Sequence, residues 1–245
     1  MIRFFPLFYK ELKDNLPLIL FISSSIIATG LIALSSEIFF IQLFIAFFPV
    51  PITTVLIPFL LTRSFGNEWR SGTHLLLFSL PVPRYTVSLS KFACFLLFGL
   101  ITFLLILGSG HYIIFNSGSS AVKNFLVNFT ITPLSFWKIG FLFYFTPLFL
   151  FLTLAYVSES LKMLIKAFHF LIPITTFIVG MYLYVKLFIE FLRIIPVSAG
   201  GSNSFTPYGM ELLFADFSTF SMFTFLFSVA LLLFGSFIFE RFTEV

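Results

Sequence analysis

LPLILFISSSIIATGLIAL (residues 16–34), then Ser35-Ser36-Glu37, then IFFIQLFIAFFPVPITTVLIPFLL (38–61) is the stretch that decides the fold. Each apolar run has the length of a helix that crosses a bilayer, about 20 residues, and neither carries a charged side chain. The short link between them forces a tight helical hairpin. Pro49, Pro51 and Pro58 remove backbone donors and predict a kink in the second run. Working outward, four more runs follow at 92–114, 139–157, 167–187 and 220–239, with Pro147 and Pro173 predicting bends in the fourth and fifth. A chain in lipid must satisfy its backbone hydrogen bonds internally. Continuous runs do this as helices, whereas a membrane barrel needs short alternating segments. The expected fold class is an all-α integral membrane protein with six transmembrane helices in one domain, 1–245.

Composition agrees. Of 245 residues, 59% are hydrophobic and 10% charged, where a soluble domain carries about 25% charged residues. The mean hydropathy is +1.10. A water-exposed surface cannot be built from so few polar groups. Phe is the outstanding residue, 41 in all, and its expected place is a lipid-facing aromatic coat. The lone Cys94 excludes an intramolecular disulfide and a cysteine metal cluster.

Lys and Arg placement sets the expected orientation. With the N-terminus in the cytoplasm, that side holds Arg3, Lys10, Lys13, Arg63, Arg70, Arg84, Lys91, Lys162, Lys166 and Arg241. The outer side holds only Lys123, Lys138, Lys186 and Arg193, which satisfies the positive-inside rule. Both termini are then cytoplasmic, and the expected setting is the plasma or inner membrane of a prokaryotic cell.

Residues 1–15 show no cleavable signal pattern. On a helical wheel Phe5, Phe8, Tyr9 and Leu12 share one face, with Arg3, Lys10, Lys13 and Asp14 opposite. That pattern suits an amphipathic interfacial helix leading into the first span through Asn15 and Pro17; the alternative is a plain extension of the first helix. Outside the membrane, 116–137 reads as a loop or short surface helix. Segment 190–219 carries turn signals around Gly200, Gly201, Pro207 and Gly209, then a short partly embedded helix at Met210, Leu212, Leu213 and Phe214. The cytoplasmic link 158–166, with Glu159, Lys162 and Lys166, has two readings: a second docking point or a positive-inside anchor.

The most specific stretch is 63–91, between the second and third spans. It contains NEWRSGTHLLLFSLPVPR (67–84), and Lys91 then opens the third span. A loop facing water alone has no need of Leu75, Leu76, Leu77, Phe78 and Leu80 together. Ser71 or Thr73 is suited to cap a short helix, Gly72 to permit the turn into it, and Pro81 and Pro83 to end it. Such a helix must bury its apolar face against lipid, its own bundle or another protein. The stretch resembles the ABC-2 family of exporter permeases. In that family an acidic residue, a Gly-Thr group, a leucine-rich turn, a Leu-Pro step and an Arg recur before a Lys.

The resemblance implies a coupling helix seated on a nucleotide-binding subunit. The residues matched to partner docking are Glu68, Arg70, Gly72, Thr73, Leu75, Leu76, Phe78, Pro81, Arg84 and Lys91; for Glu68, Arg84 and Lys91 the alternative is interfacial ion pairing. It further implies an ABC ATPase subunit as partner, a second permease copy or homologue, membrane lipids around it and no nucleic acid. The expected function is the translocation path for hydrophobic or amphipathic cargo, whether peptide, lipid or drug.

The chain itself is not expected to be an enzyme. No Gly-x-x-x-x-Gly-Lys-Ser/Thr phosphate loop occurs, so ATP and Mg belong to the partner and no cofactor is expected here. His74 and His169 fall at the inner side and His111 at the outer, too far apart for one metal site. The span interiors read as nearly free of ionisable residues, with Gln42 the main polar exception; this argues against an ion-coupled transporter. The alternatives of another class are a membrane scaffold or sensor, and an intramembrane maturation enzyme.

Overall fold

The computed structural model describes residues 4–35, 38–71, 83–116, 132–164, 171–194 and 207–241, with backbone alone at 39, 40, 69, 163, 164, 192–194 and 207–217. Among these residues every regular element is helical: α1 Phe4–Ser35, α2 Phe39–Phe47, α3 Pro49–Ser71, α4 Arg84–Asn116, α5 Pro133–Gly140, a π-helical turn Phe141–Phe145, α6 Thr146–Leu164, α7 Leu171–Ile194 and α8 Pro207–Arg241. They supply six helices long and apolar enough to cross a membrane, with α2 and α3 forming one and α5 through α6 another.

The apolar runs underestimate the helices. α1 has 32 residues, roughly 48 Å at the usual rise, against a hydrocarbon core of about 30 Å. Among the described residues α1 runs unbroken from Phe4 into the first span, with one packing stripe carried through Pro17. Glu11, Ile19, Ile22, Ile26, Gly30 and Ala33 are all buried along it, at the three- and four-residue spacing of a single helix face. The face expected to unite Phe5, Phe8, Tyr9 and Leu12 splits: Phe5 and Tyr9 point outward, while Leu12 packs on the core and Phe8 stacks on Phe4. Likewise α4 begins at Arg84, and α8 is continuous from Pro207, so 210–214 is part of the last helix rather than a helix of its own. Glu159 and Lys162 lie on α6 rather than in a loop.

The prolines act where donors are missing. The second span breaks at Phe48, immediately before Pro49. The fourth widens into the π turn just before Pro147, which has no N–H to give to the preceding turn. Pro173 falls in the first described turn of α7, at the start of the fifth span. Thr132 caps α5 in a reciprocal capping box with Ser135.

Packing follows from these elements. α4 and α6 lie at the centre, with half of their most apolar stretches buried, whereas α7 is peripheral and mostly exposed. Ile22 and Ile26 of α1, Leu61 and Phe65 of α3, Phe95 and Phe98 of α4, and Leu148, Leu152 and Tyr156 of α6 fill the core with Phe239 of α8. Phenylalanine is therefore both filling and coat, since Phe21, Phe44, Phe59 and Phe225 are exposed. Hydroxyls stitch the helices together. Tyr156 Oη lies 2.7 Å from Ser88 Oγ of α4 and 3.2 Å from Ser236 Oγ of α8. Tyr144 Oη donates to Thr53 Oγ1 at 3.0 Å and lies 2.7 Å from Thr102 Oγ1. Tyr184 Oη lies 2.8 Å from Thr224 Oγ1 and ties α7 to α8.

Tyr156 reaches both partners because α8 presents a glycine to its ring. A Cβ at Gly235 would stand 2.8 Å from ring carbons of Tyr156. At Gly66, on α3, a Cβ would meet nothing within 4 Å. Gly235→Ala is expected to lower stability in detergent by about 1–3 kcal/mol, read as the midpoint of thermal unfolding. Gly66→Ala is expected to leave that midpoint unchanged or raise it, since Ala is favoured in a helix by about 0.5–1 kcal/mol.

Candidate functional site

A buried cluster of charges joins α1, α3 and α4. Its centre is Lys91, in the second turn of α4, whose side chain is 1% exposed. The Nζ atom lies 2.9 Å from Glu11 Oε1 of α1 and 2.9 Å from Glu68 Oε1 of α3. It also donates to Ser64 Oγ at 3.2 Å and sits 5.5 Å from the ring centroid of Phe65. An ammonium carries three donors and no acceptor, and here each donor has an oxygen. Leaving such a group buried without partners is prohibitive, which is why buried charges occur paired. Lys10 brings a second cation to the same two carboxylates, at 3.7 Å from Glu11 and 3.5 Å from Glu68. The formal charges of Lys10, Glu11, Glu68 and Lys91 balance.

Neighbouring contacts extend the junction across the same end of the bundle. Ser88, three residues before Lys91, meets Tyr156. At the start of α4, the Tyr85 backbone N–H donates to Glu240 Oε2 of α8 at 3.4 Å, a carboxylate where the helix end favours negative charge. On α6, Glu159 is buried and paired with Lys162 one turn on. The bundle therefore buries ionisable groups at this end, just beyond the uncharged runs 16–34, 38–61, 92–114 and 139–157.

The junction gathers three of the residues singled out from the sequence: Lys10, Glu68 and Lys91. Arg70 and Lys13 are exposed and stand outside it, and Arg84 is half-buried at the first residue of α4. Gly72, Thr73, Leu75, Leu76, Phe78 and Pro81, with the expected coupling helix, lie outside the described residues. Sequence reasoning missed Glu11 and Ser64. The signal for Glu11 was present: it shares the face of Ile19, Ile22 and Ile26 once the wheel is carried through Pro17.

Chemically the junction is a fastening. Its ammonium has an oxygen for each donor, and one oxygen of each carboxylate meets both lysines. It pins the helix leading into residues 72–82 to the helix leading out, and pins both to α1. At the opposite end His111 stands among Phe115, Phe136 and Trp137, with ring centroids 4.6 to 6.0 Å away. Among the described residues no group of His, Cys, Asp or Glu side chains is arranged to hold a metal ion. No family model matches the chain, and no curated protein or solved structure matches it.

Removing the central cation separates the contributions. Lys91→Met leaves Glu11 buried without its closest cation and is expected to cost about 3–5 kcal/mol, seen as a large fall in thermal midpoint. Lys10→Met removes a half-exposed partner and should cost under about 1 kcal/mol. Equal losses from the two variants would contradict this order.

Proposed function

We propose that this chain is the membrane-spanning permease subunit of an ATP-driven exporter of the ABC-2 type. One observation carries the reading. The acidic residue and the lysine that bracket the family-like loop, Glu68 and Lys91, meet at 2.9 Å inside the bundle. A loop that receives force from a partner needs roots that move as one body with the spans, and this contact ties the roots together.

In this reading a separate nucleotide-binding subunit binds ATP and Mg, hydrolyses ATP and docks on residues 72–82 from the cytoplasm, where both termini also lie. Its closure pushes on α3 and α4 together. Glu11 passes the displacement to α1, and Tyr156 passes it to α6 and α8. A second permease, identical or homologous, completes the path. ATP binding selects between conformations of the pair by its differential affinity for them. The cargo is hydrophobic or amphipathic, in keeping with spans rich in Phe and poor in charge. The cell is prokaryotic and the membrane its plasma or inner membrane.

Affinity purification of the full chain in mild detergent or nanodiscs, with mass spectrometry of what accompanies it, tests the proposal. A stoichiometric ATPase subunit is expected, and replacing residues 75–78 by Gly and Ser should release it without changing the elution profile of the permease. Recovery of the permease alone under several gentle conditions would support a scaffold, sensor or enzyme instead. So would an ATPase that stays bound after the replacement.

A further inference from the structure

Between α3, α6 and α7 runs a groove of about 240 Å³. Val55 and Phe59 of α3, Phe151 and Ala155 of α6, and Pro173 and Phe177 of α7 form its walls. The two hydroxyls in the lining, Thr62 and Ser158, donate to carbonyls of their own helices, Phe59 O and Ala155 O, each at 2.8 Å. The wall thus presents hydrocarbon to whatever enters. Val55, Phe59 and Phe177 are at the same time exposed on the outside of the bundle, so the groove opens sideways, where a spanning helix meets lipid tails.

The mouth of the groove differs from its walls. α3 and α6 both run toward the end that holds Lys91 and Tyr156. One turn beyond Phe59 on α3 comes Arg63, and one turn beyond Ser158 on α6 comes Lys162, by the four-residue spacing of a helix face. Lys162 is held by Glu159. Arg63 is exposed and forms no ion pair with any described side chain. A guanidinium matches the geometry of a phosphate, and Arg63 follows directly on the apolar run 38–61, where a spanning helix leaves the hydrocarbon.

We propose that this groove binds one acyl chain of an anionic phospholipid from the adjoining leaflet, with Arg63 holding the headgroup phosphate. The site needs the six helices to lie in a bilayer and does not depend on an ATPase partner, so it stands or falls apart from the exporter reading. Anionic lipid is favoured because a choline head carries its own cation beside the phosphate, whereas an anionic head leaves net negative charge for Arg63 to meet.

The test reconstitutes the full chain in phosphatidylcholine nanodiscs with a trace of lipid carrying a photoreactive diazirine in its acyl chain. One probe has a phosphatidylglycerol head and the other a phosphatidylcholine head, and adducts are mapped by peptide mass spectrometry. The phosphatidylglycerol probe should label 55–62, 151–158 and 171–177 about fivefold more than the phosphatidylcholine probe, the gain of roughly one basic contact at a membrane surface. Arg63→Gln, at an exposed position, should bring the two probes to equal labelling. Ala155→Phe fills the groove and should reduce labelling there to the level at Phe21 and Phe225 on the outer faces of α1 and α8. Equal labelling by the two probes in the unmodified chain, or groove labelling that survives Ala155→Phe in a normally eluting protein, would overturn the proposal. If Ala155→Phe does not assemble, the Arg63→Gln comparison decides alone.

Discussion

An ammonium group inside a helical bundle is tolerated only when each of its hydrogens is answered, and Lys91 sets that demand. Three oxygens meet it, on Glu11, Glu68 and Ser64, and they come from two other helices. To bring them together, α1 must run unbroken past Pro17 so that Glu11 reaches the bundle. α3 must also continue beyond the apolar stretch to place Ser64 and Glu68. α4 must start early enough that Lys91 already lies in its second turn. The lengths of three helices beyond the hydrocarbon are thereby linked to one cation. Breaking such a set by removing one member is far more destabilising than replacing it all by apolar groups, so the cluster specifies an arrangement more than it adds stability.

The far half of the bundle obeys a different constraint. The break at Phe48 and the π turn at Phe141–Phe145 leave two adjacent spans irregular at similar depth. Irregular backbone inside a membrane is tolerated where neighbouring protein covers it. Tyr144, within the π turn, reaches Thr53 and Thr102, and Phe47 packs on Phe136 at 6.3 Å. Thr53 also returns a hydroxyl bond to the Pro49 carbonyl at 2.8 Å. One end of the molecule is held by charge together with the Tyr156 hydroxyl contacts, the other by hydroxyls and rings.

Most of the span pattern was legible in the sequence, because a bilayer dictates length and apolarity and the six runs meet both. Pro49, Pro51 and Pro58 together predicted a kink in the second span, and the break falls before the first of them. Helix ends were not legible. Residues 84–91 and 207–219 are too polar to read as span, yet helix continues through them. At Tyr85 the end is supported by Glu240, 155 residues away in the chain, and no local pattern announces such a partner. Glu68 and Lys91 were singled out from a loop pattern, and their direct contact came from tertiary geometry. Glu11 becomes legible only when the helix is continued through Pro17, since the acid then joins the face of Ile19, Ile22 and Ile26.

The central claim is that Lys91 and Glu11 act as a unit holding α1 to the roots of the 72–82 segment. A double-mutant cycle of Glu11→Gln and Lys91→Met on the full chain in one detergent, read by reversible denaturant unfolding, tests it most directly. The account predicts that the double variant is much less destabilised than the sum of the singles, with a coupling of about 1–3 kcal/mol. Additive losses, within about 0.5 kcal/mol, would mean that the two side chains do not interact in the folded protein, and the fastening would have to be sought elsewhere.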